Sequence, residues 1–173
     1  MSNNKLVETG TWKWGNEGVG WKLYSSSLLP NPANTTAVFC VAITDDRKII
    51  LEREERGWGM LGGHIDEGES LENALSRECQ EEGGFTPTEP ILFAYRKIIA
   101  HKPVTHPQPG KNYPFPISYI AYYWAVTDMP LVPHTEPEVL EVKALAMDDI
   151  KELDTKDMAV ITLGWNAYLQ SQL

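Results

Sequence analysis

Gly63-His-Ile-Asp-Glu-Gly-Glu-Ser-Leu-Glu-Asn-Ala-Leu-Ser-Arg-Glu-Cys-Gln-Glu-Glu-Gly-Gly-Phe85 is the stretch whose reading decides the fold. A glycine loop opens it, Ser70 is suited to cap a helix, and Gly83 and Gly84 are suited to stop one, so the pattern predicts a helix of about three turns. At about 100° per residue, Leu71, Leu75 and Cys79 share one apolar stripe. Glu78 and Glu82 project onto or beside that stripe, and Glu81 flanks it. A solvated helix carries its acids opposite its leucines. Here like charges at i,i+4 lie toward the buried side, and the acids crowd the last turn, where the helix dipole disfavours anions. Desolvation adds a penalty on the order of several kcal/mol for each partly buried ion left uncompensated. Arg77 neutralises one charge by pairing with Glu81 at i,i+4, and a divalent cation answers for the rest. An oxygen-only ligand set without Cys or His selects a hard ion, Mg²⁺ or Mn²⁺ before Zn²⁺.

The spacing is as informative as the composition. Gly63, Glu69 and the run Arg77-Glu78-Cys79-Gln80-Glu81-Glu82-Gly83-Gly84-Phe85 fit G-x5-E-x7-R-E-U-x-E-E-x-G-U at every fixed position, U being bulky and apolar and Cys79 the loosest fit. The stretch resembles the Nudix box. Trp58-Gly-Met-Leu-Gly-Gly63 is similar to the family's entry to the box, with Leu61 where many members have proline. The resemblance, covering roughly residues 36–170, implies a Nudix-type α/β/α sandwich with a mixed sheet. It implies a hydrolase that cuts a nucleoside diphosphate linked to another moiety, through attack of a metal-activated water on phosphorus. Carried over by position, Glu78 and Glu82 are the expected primary metal ligands, joined by the Gly63 carbonyl and Glu81. Arg77 is expected to hold the carboxylates in place, and Glu69 to brace the loop through Arg77. The family does not take its general base from one fixed place. Glu81 in the box is the favoured candidate, with Glu136 and Glu138 on a later loop as the others.

Outward from the box, the chain reads as short strands. Trp12 and Trp14 alternate with polar neighbours, Asn16-Glu17-Gly18 signals a turn, and Val19, Trp21 and Leu23 alternate again. Residues 1–35 are therefore read as an extension made of a β-hairpin and a linker, with residues 36–173 as the main domain. The tryptophans of the hairpin suit a homodimer surface, a lid on a substrate base, or a cover over the sheet of their own subunit. Thr35 to Thr44 and Lys48 to Arg53 are apolar, β-branched strands on either side of an Asp45-Asp46 turn. A strand from Ile91 to about Ala100 follows the box. Ile117 to Val126, apolar on both faces, is expected at the centre of the sheet. Glu138 to Met147 reads as another strand, Asp148-Asp149-Ile150 opens a short helical turn, and a last helix runs from about Asp154 to Leu169. Strands enclosed by helices on either side independently give the α/β/α class.

Residues 101–116 hold five prolines, which bar a helix or an internal strand, and a stiff loop of this length is more often functional than idle. Gln108-Pro109 and Tyr113-Pro-Phe-Pro-Ile-Ser118 partly resemble a motif of the NADH pyrophosphatase branch, interrupted by Gly110-Lys111-Asn112. Tyr113 and Phe115 in this loop, and Arg96 near the end of the preceding strand, are the expected substrate-binding residues. His101 and His106 are read as solvated polar groups.

A net charge of −9 opposes binding to long nucleic acid but not to a small nucleotide held through a metal. Cys40 and Cys79 lie in apolar patterns and are read as buried thiols of a cytoplasmic protein. No apolar run reaches the ~20 residues of a membrane span. Two other classes compete with the hydrolase. A non-catalytic nucleotide sensor usually lacks box glutamates that this chain keeps. A prenyl-diphosphate isomerase needs a catalytic cysteine in its pocket.

Overall fold

A computed structural model describes residues 4–14, 17–105, 113–127, 136–155 and 157–173. Its strands are β1 (Lys5–Trp14), β2 (Glu17–Ser25), β3 (Thr35–Ile43), β4 (Ile49–Glu54), β5 (Gly57–Gly59), β6 (Leu61–His64), β7 (Thr88–Ala100), β8 (Ile117–Val126) and β9 (Glu141–Leu145). Its helices are α1 (Leu71–Gly83), α2 (Met147–Lys151) and α3 (Met158–Ser171). Among the described residues the strands form one mixed sheet in the order β1-β2-β7-β8-β3-β4-β5, with β6 paired to β3 and β9 to β4.

Strand β3 decides where the site forms. Along one edge it runs parallel to β8. Its other edge is shared: Ala37 to Cys40 pair with β6, and Ala42 and Ile43 pair with β4. The sheet therefore forks, and β6 delivers the chain from the fork directly to α1. Ile117–Val126 forms β8 as expected, and it lies between β7 and β3. Such a strand is covered on both faces, which explains its unbroken apolar run.

The alternation of β3 sorts the core into two layers. Val38, Cys40 and Ala42 pack with Leu75 and Cys79 of α1, whereas Ala37, Val41 and Ile43 pack with Val160 and Ile161 of α3. Ser70 caps α1 by accepting the Asn73 amide at 3.2 Å, and Gly84 ends the helix with φ 74°. The last helix starts at Met158, later than the expected Asp154, because Leu153 and Thr155 first complete a turn after α2 and an isolated bridge from Thr155 to Trp58. The strand expected from Glu138 is shorter, starting at Glu141. The short strands β5 and β6 were not legible, since their glycines read as loop.

The N-terminal hairpin is stitched into the sheet. β2 pairs with β7 from Val19↔Ala100 to Ser25↔Ala94, and Val19 and Leu23 are buried in the α3-side core. Trp12 and Trp21 also pack on that core, covering the sheet of their own subunit. Trp14's side chain lies outside the described set. No described helix is long and apolar enough to cross a membrane.

Candidate active site

Two adjacent glycines bring the box helix against the sheet. At Gly62, φ is +140° and an added Cβ would lie 2.2 Å from the Val38 carbonyl oxygen. A side chain is excluded there by backbone, so β6 can lie close to β3. At Gly63 the neighbour is different: an added Cβ would lie 2.7 Å from Glu78 Oε1. Gly63 leaves the space into which Glu78 extends. The Gly62 amide donates to Glu82 Oε2 at 2.7 Å, tying the helix to the same turn.

Arg77 organises the acids. Its Nε and one terminal nitrogen fork onto Glu69 at 3.0 Å each, and that nitrogen also donates to the His64 carbonyl at 2.9 Å. The other terminal nitrogen reaches Glu78 Oε1 at 2.8 Å and Glu81 Oε2 at 3.1 Å. Planar guanidinium geometry permits such simultaneous pairing, which an ammonium could not reproduce. The arginine side of the box is thus electrically satisfied, and Glu69 is held below its usual carboxylate range by its Arg77 hydrogen bonds.

The sheet-facing side has fewer partners: Glu78 shares Arg77 with Glu69 and Glu81, and among the described residues Glu82 accepts from the Gly62 amide without a cation of its own. Glu78 and Glu82 are each 8% exposed. Burial raises the pKa of Glu78. Burial, followed by the charge of Glu52, pushes Glu82 up to about 9. Glu52 on β4 is a residue that sequence reasoning missed. It is 7% exposed, its Oε2 has no hydrogen-bond partner, and burial followed by the charge of Glu54 pushes it up to about 7. The available signal was parity: Ile50 faces α1, so Glu52 must face it too.

Among the described residues no three Asp, Glu, His or Cys side chains converge closely enough to grip one ion as they stand. The donor set nevertheless fits a hard divalent cation. It consists of carboxyl groups and glycine carbonyls, it buries more acids than one arginine can pair, and it contains an orphaned carboxyl oxygen at Glu52.

The remaining expected residues divide. Glu81 joins the cluster through Arg77. Glu136 comes to it as well: its amide donates to the Glu81 carbonyl at 3.3 Å, and its charge is felt by Glu52 and Glu78. Glu138 is exposed and lines a separate cavity of about 420 Å³ with Glu54, Glu55 and Arg56. Tyr113 is buried with its hydroxyl 3.1 Å from His64 Nε2. It walls a second cavity of about 420 Å³ against Thr36 and the box loop from His64 to Glu69. Phe115 is half exposed.

Arg96 does not join the site. It is 4% exposed, on the α3 face of the sheet, with its guanidinium carbon 4.6 Å from the ring centres of both Trp12 and Trp21. Both its terminal nitrogens donate to Asp157 Oδ1, at 3.3 and 3.2 Å. Its register against Leu23 and Ile120, both core residues of that face, put it there, so the expectation of substrate contact is corrected. His101 is exposed, and His106 and residues 107–112 lie outside the described residues. Cys40 and Cys79 are fully buried in the α1-side core, leaving no pocket thiol among the described residues for isomerase chemistry.

Comparison with known proteins bears on the family and the fold. A family model described as NUDIX domain matches residues 33–163. An uncharacterised Nudix hydrolase, YvcI of Bacillus subtilis, is 39% identical over 54 residues, a match that spans 31% of this chain and only 34% of that relative. The NUDIX domain of Shewanella oneidensis NrtR, solved in complex with ADP ribose, superposes with a TM-score of 0.57 at 20% identity, covering 83% of this chain and 93% of that one. The Bacillus subtilis pyrophosphohydrolase BsRppH gives 0.54 at 18% identity over 78% and 75% of the two chains. A C. elegans Ap4A hydrolase gives 0.53 at 18% identity over 78% and 98% of the two chains. At these identities the structural likeness is one of fold.

Proposed function

The chain belongs to the NUDIX domain family, and from that premise we propose that it is a Mg²⁺- or Mn²⁺-dependent pyrophosphohydrolase acting on a small nucleotide that carries a diphosphate linkage. The observation that carries this reading is the pair Glu78 and Glu82, both 8% exposed beside Gly62 and Gly63, in a cluster with more buried carboxyl groups than Arg77 can pair. Glu78, Glu82, the Gly63 carbonyl and Glu81 would hold the cation. When bound, a divalent ion supplies charge neutralisation at phosphate oxygens and a water of lowered pKa.

The chain's own residues supply position and proton handling, which is most of what phosphoryl transfer asks of a protein. Arg77 holds Glu69, Glu78 and Glu81 in fixed relation, so the ligands need little reorganisation. Glu81 is the proposed base that takes a proton from the attacking water. Glu136 is the second candidate, favoured by its electrostatic contact with Glu52 and Glu78. Glu138, which lines the same cavity as Arg56, is the third. The cavity walled by Tyr113 is the proposed seat of the remainder of the substrate. On this reading residues 36–173 are the catalytic domain. The buried free thiols Cys40 and Cys79 suit a cytoplasmic setting.

The test is a hydrolysis screen at millimolar Mg²⁺ or Mn²⁺ covering nucleoside triphosphates, dinucleoside polyphosphates, NADH, ADP-ribose and nucleotide sugars. Metal-dependent release of phosphate or a nucleoside monophosphate is the expected result. Saturable binding of a nucleotide with no turnover across the panel would overturn the hydrolase in favour of a sensor.

A further inference from the structure

Glu52 lies outside the box, yet it is the acid with the least explanation in its surroundings. Along β4, Ile50 belongs to the α1-side core and Leu51 to the α3-side core, so Glu52 and Glu54 continue the α1 face. Glu54 has its own cation, Arg56 at 2.5 Å. Glu52 has none. Its register neighbours are Gly59 on β5 and Val142 on β9, which offer no polar side chain. It is nevertheless 7% exposed, and Oε2 lacks any hydrogen-bond partner. Burying a carboxylate among neighbours without donors is costly unless a cation or proton meets it. The groups whose charge it senses are Glu54, Glu78 and Glu136, with Arg56 as the only cation among its main influences, and it is itself a leading influence on Glu82. The orphaned oxygen therefore sits within electrostatic reach of both primary candidate ligands on α1.

We propose that Glu52 is an additional ligand of the divalent-cation site, contributed by the sheet to a set otherwise drawn from the box. The geometry that carries it is the unpartnered, nine-tenths-buried carboxylate on the α1 face of β4. It rests on the pyrophosphohydrolase reading above. With Glu52 included, the ion is clamped between helix and sheet, so its binding fixes α1 against β4 as well as joining residues within one helix. An acid that is merely packed, carrying a permanent proton, would give no such coupling.

Mn²⁺ titration of the full chain, followed by the electron paramagnetic resonance of the free ion, distinguishes the two. The expected result is a dissociation constant raised at least about tenfold in Glu52→Gln. Glu55→Gln, which removes an equal charge from the exposed neighbouring turn, should stay within about threefold of wild type. Without metal, Glu52→Gln should melt no lower than wild type, because an uncharged amide needs neither a proton nor a cation to be buried there. Equal Mn²⁺ affinity in wild type and Glu52→Gln overturns the assignment while leaving the hydrolase reading intact. Absence of Mn²⁺ binding in wild type takes down both. If Glu52→Gln does not fold, Glu52→Asp, which keeps the charge but withdraws it by one methylene, must show the same loss of affinity, and unchanged affinity there is equally fatal.

Discussion

Gly62 and Gly63 are neighbours in sequence and opposites in what they protect. A side chain at Gly62 meets the Val38 carbonyl and the Phe39 Cα in a backbone already at φ +140°. Gly62→Ala should therefore cost on the order of 3 kcal/mol or more, read as a shifted urea midpoint. A side chain at Gly63 meets only the end of Glu78. Gly63→Ala should leave stability within about 1 kcal/mol of wild type, while turnover falls at least about tenfold as Glu78 is displaced. Matched losses of stability in both variants would contradict this division. At Glu82 the charge itself matters. Glu82→Gln preserves shape and should lower kcat at least about 100-fold, the scale of losing a group that stabilises developing charge. A variant within threefold of wild type at saturating Mg²⁺ would remove Glu82 from the ligand set.

At the scale of elements, the sheet separates two charged centres that the sequence places only fourteen positions apart, at Glu82 and Arg96. The α1 face holds a cluster of buried acids. The α3 face holds Arg96, closed in by Trp12, Trp21 and the carboxylate at the start of α3. The guanidinium ties the N-terminal hairpin, β7 and α3 together, so its loss should be structural. Arg96→Ala should destabilise by roughly 3 kcal/mol through uncompensated Asp157 and lost packing. Turnover at saturating substrate should remain within about threefold at a temperature where the variant is folded. A large rise in KM without loss of stability would return Arg96 to the substrate, against its position here.

At the scale of the whole molecule, pH and metal should oppose each other. Glu52 and Glu82 are raised from their ordinary 4.5 to about 7 and about 9 in the folded protein. The folded state thus retains protons that the unfolded state releases. Stability contributed by these groups is complete below about pH 4.5 and is lost as pH rises toward about 9. Glu69, lowered by Arg77, acts in the other direction and loses its contribution only as pH falls below the ordinary carboxylate range. In chelator, the melting temperature should therefore decline between about pH 5 and about pH 9. Millimolar Mg²⁺ should reduce that decline, because a bound cation replaces the missing positive charge and binds only the folded state. Parallel pH profiles with and without Mg²⁺ would show that no cation enters the cluster.

The sequence by itself determined the box helix, its caps, the placement of Glu78 and Glu82 toward the buried side, and the central position of β8. Each follows from spacing within one continuous segment, because helical and strand periodicity are local properties. Tertiary structure alone decided that β6 leaves the fork of β3 to bring Gly63 against Glu78, and that Arg96 is shut beneath the hairpin. It also decided that Glu52, buried on β4, lies within electrostatic reach of Glu78, twenty-six residues downstream of it. These arrangements depend on strand register and pairing between distant segments, and a one-residue change in register would send each side chain to the other face. The chemistry of the box was written along the chain; which residues outside it share its buried charge was settled only when the sheet closed.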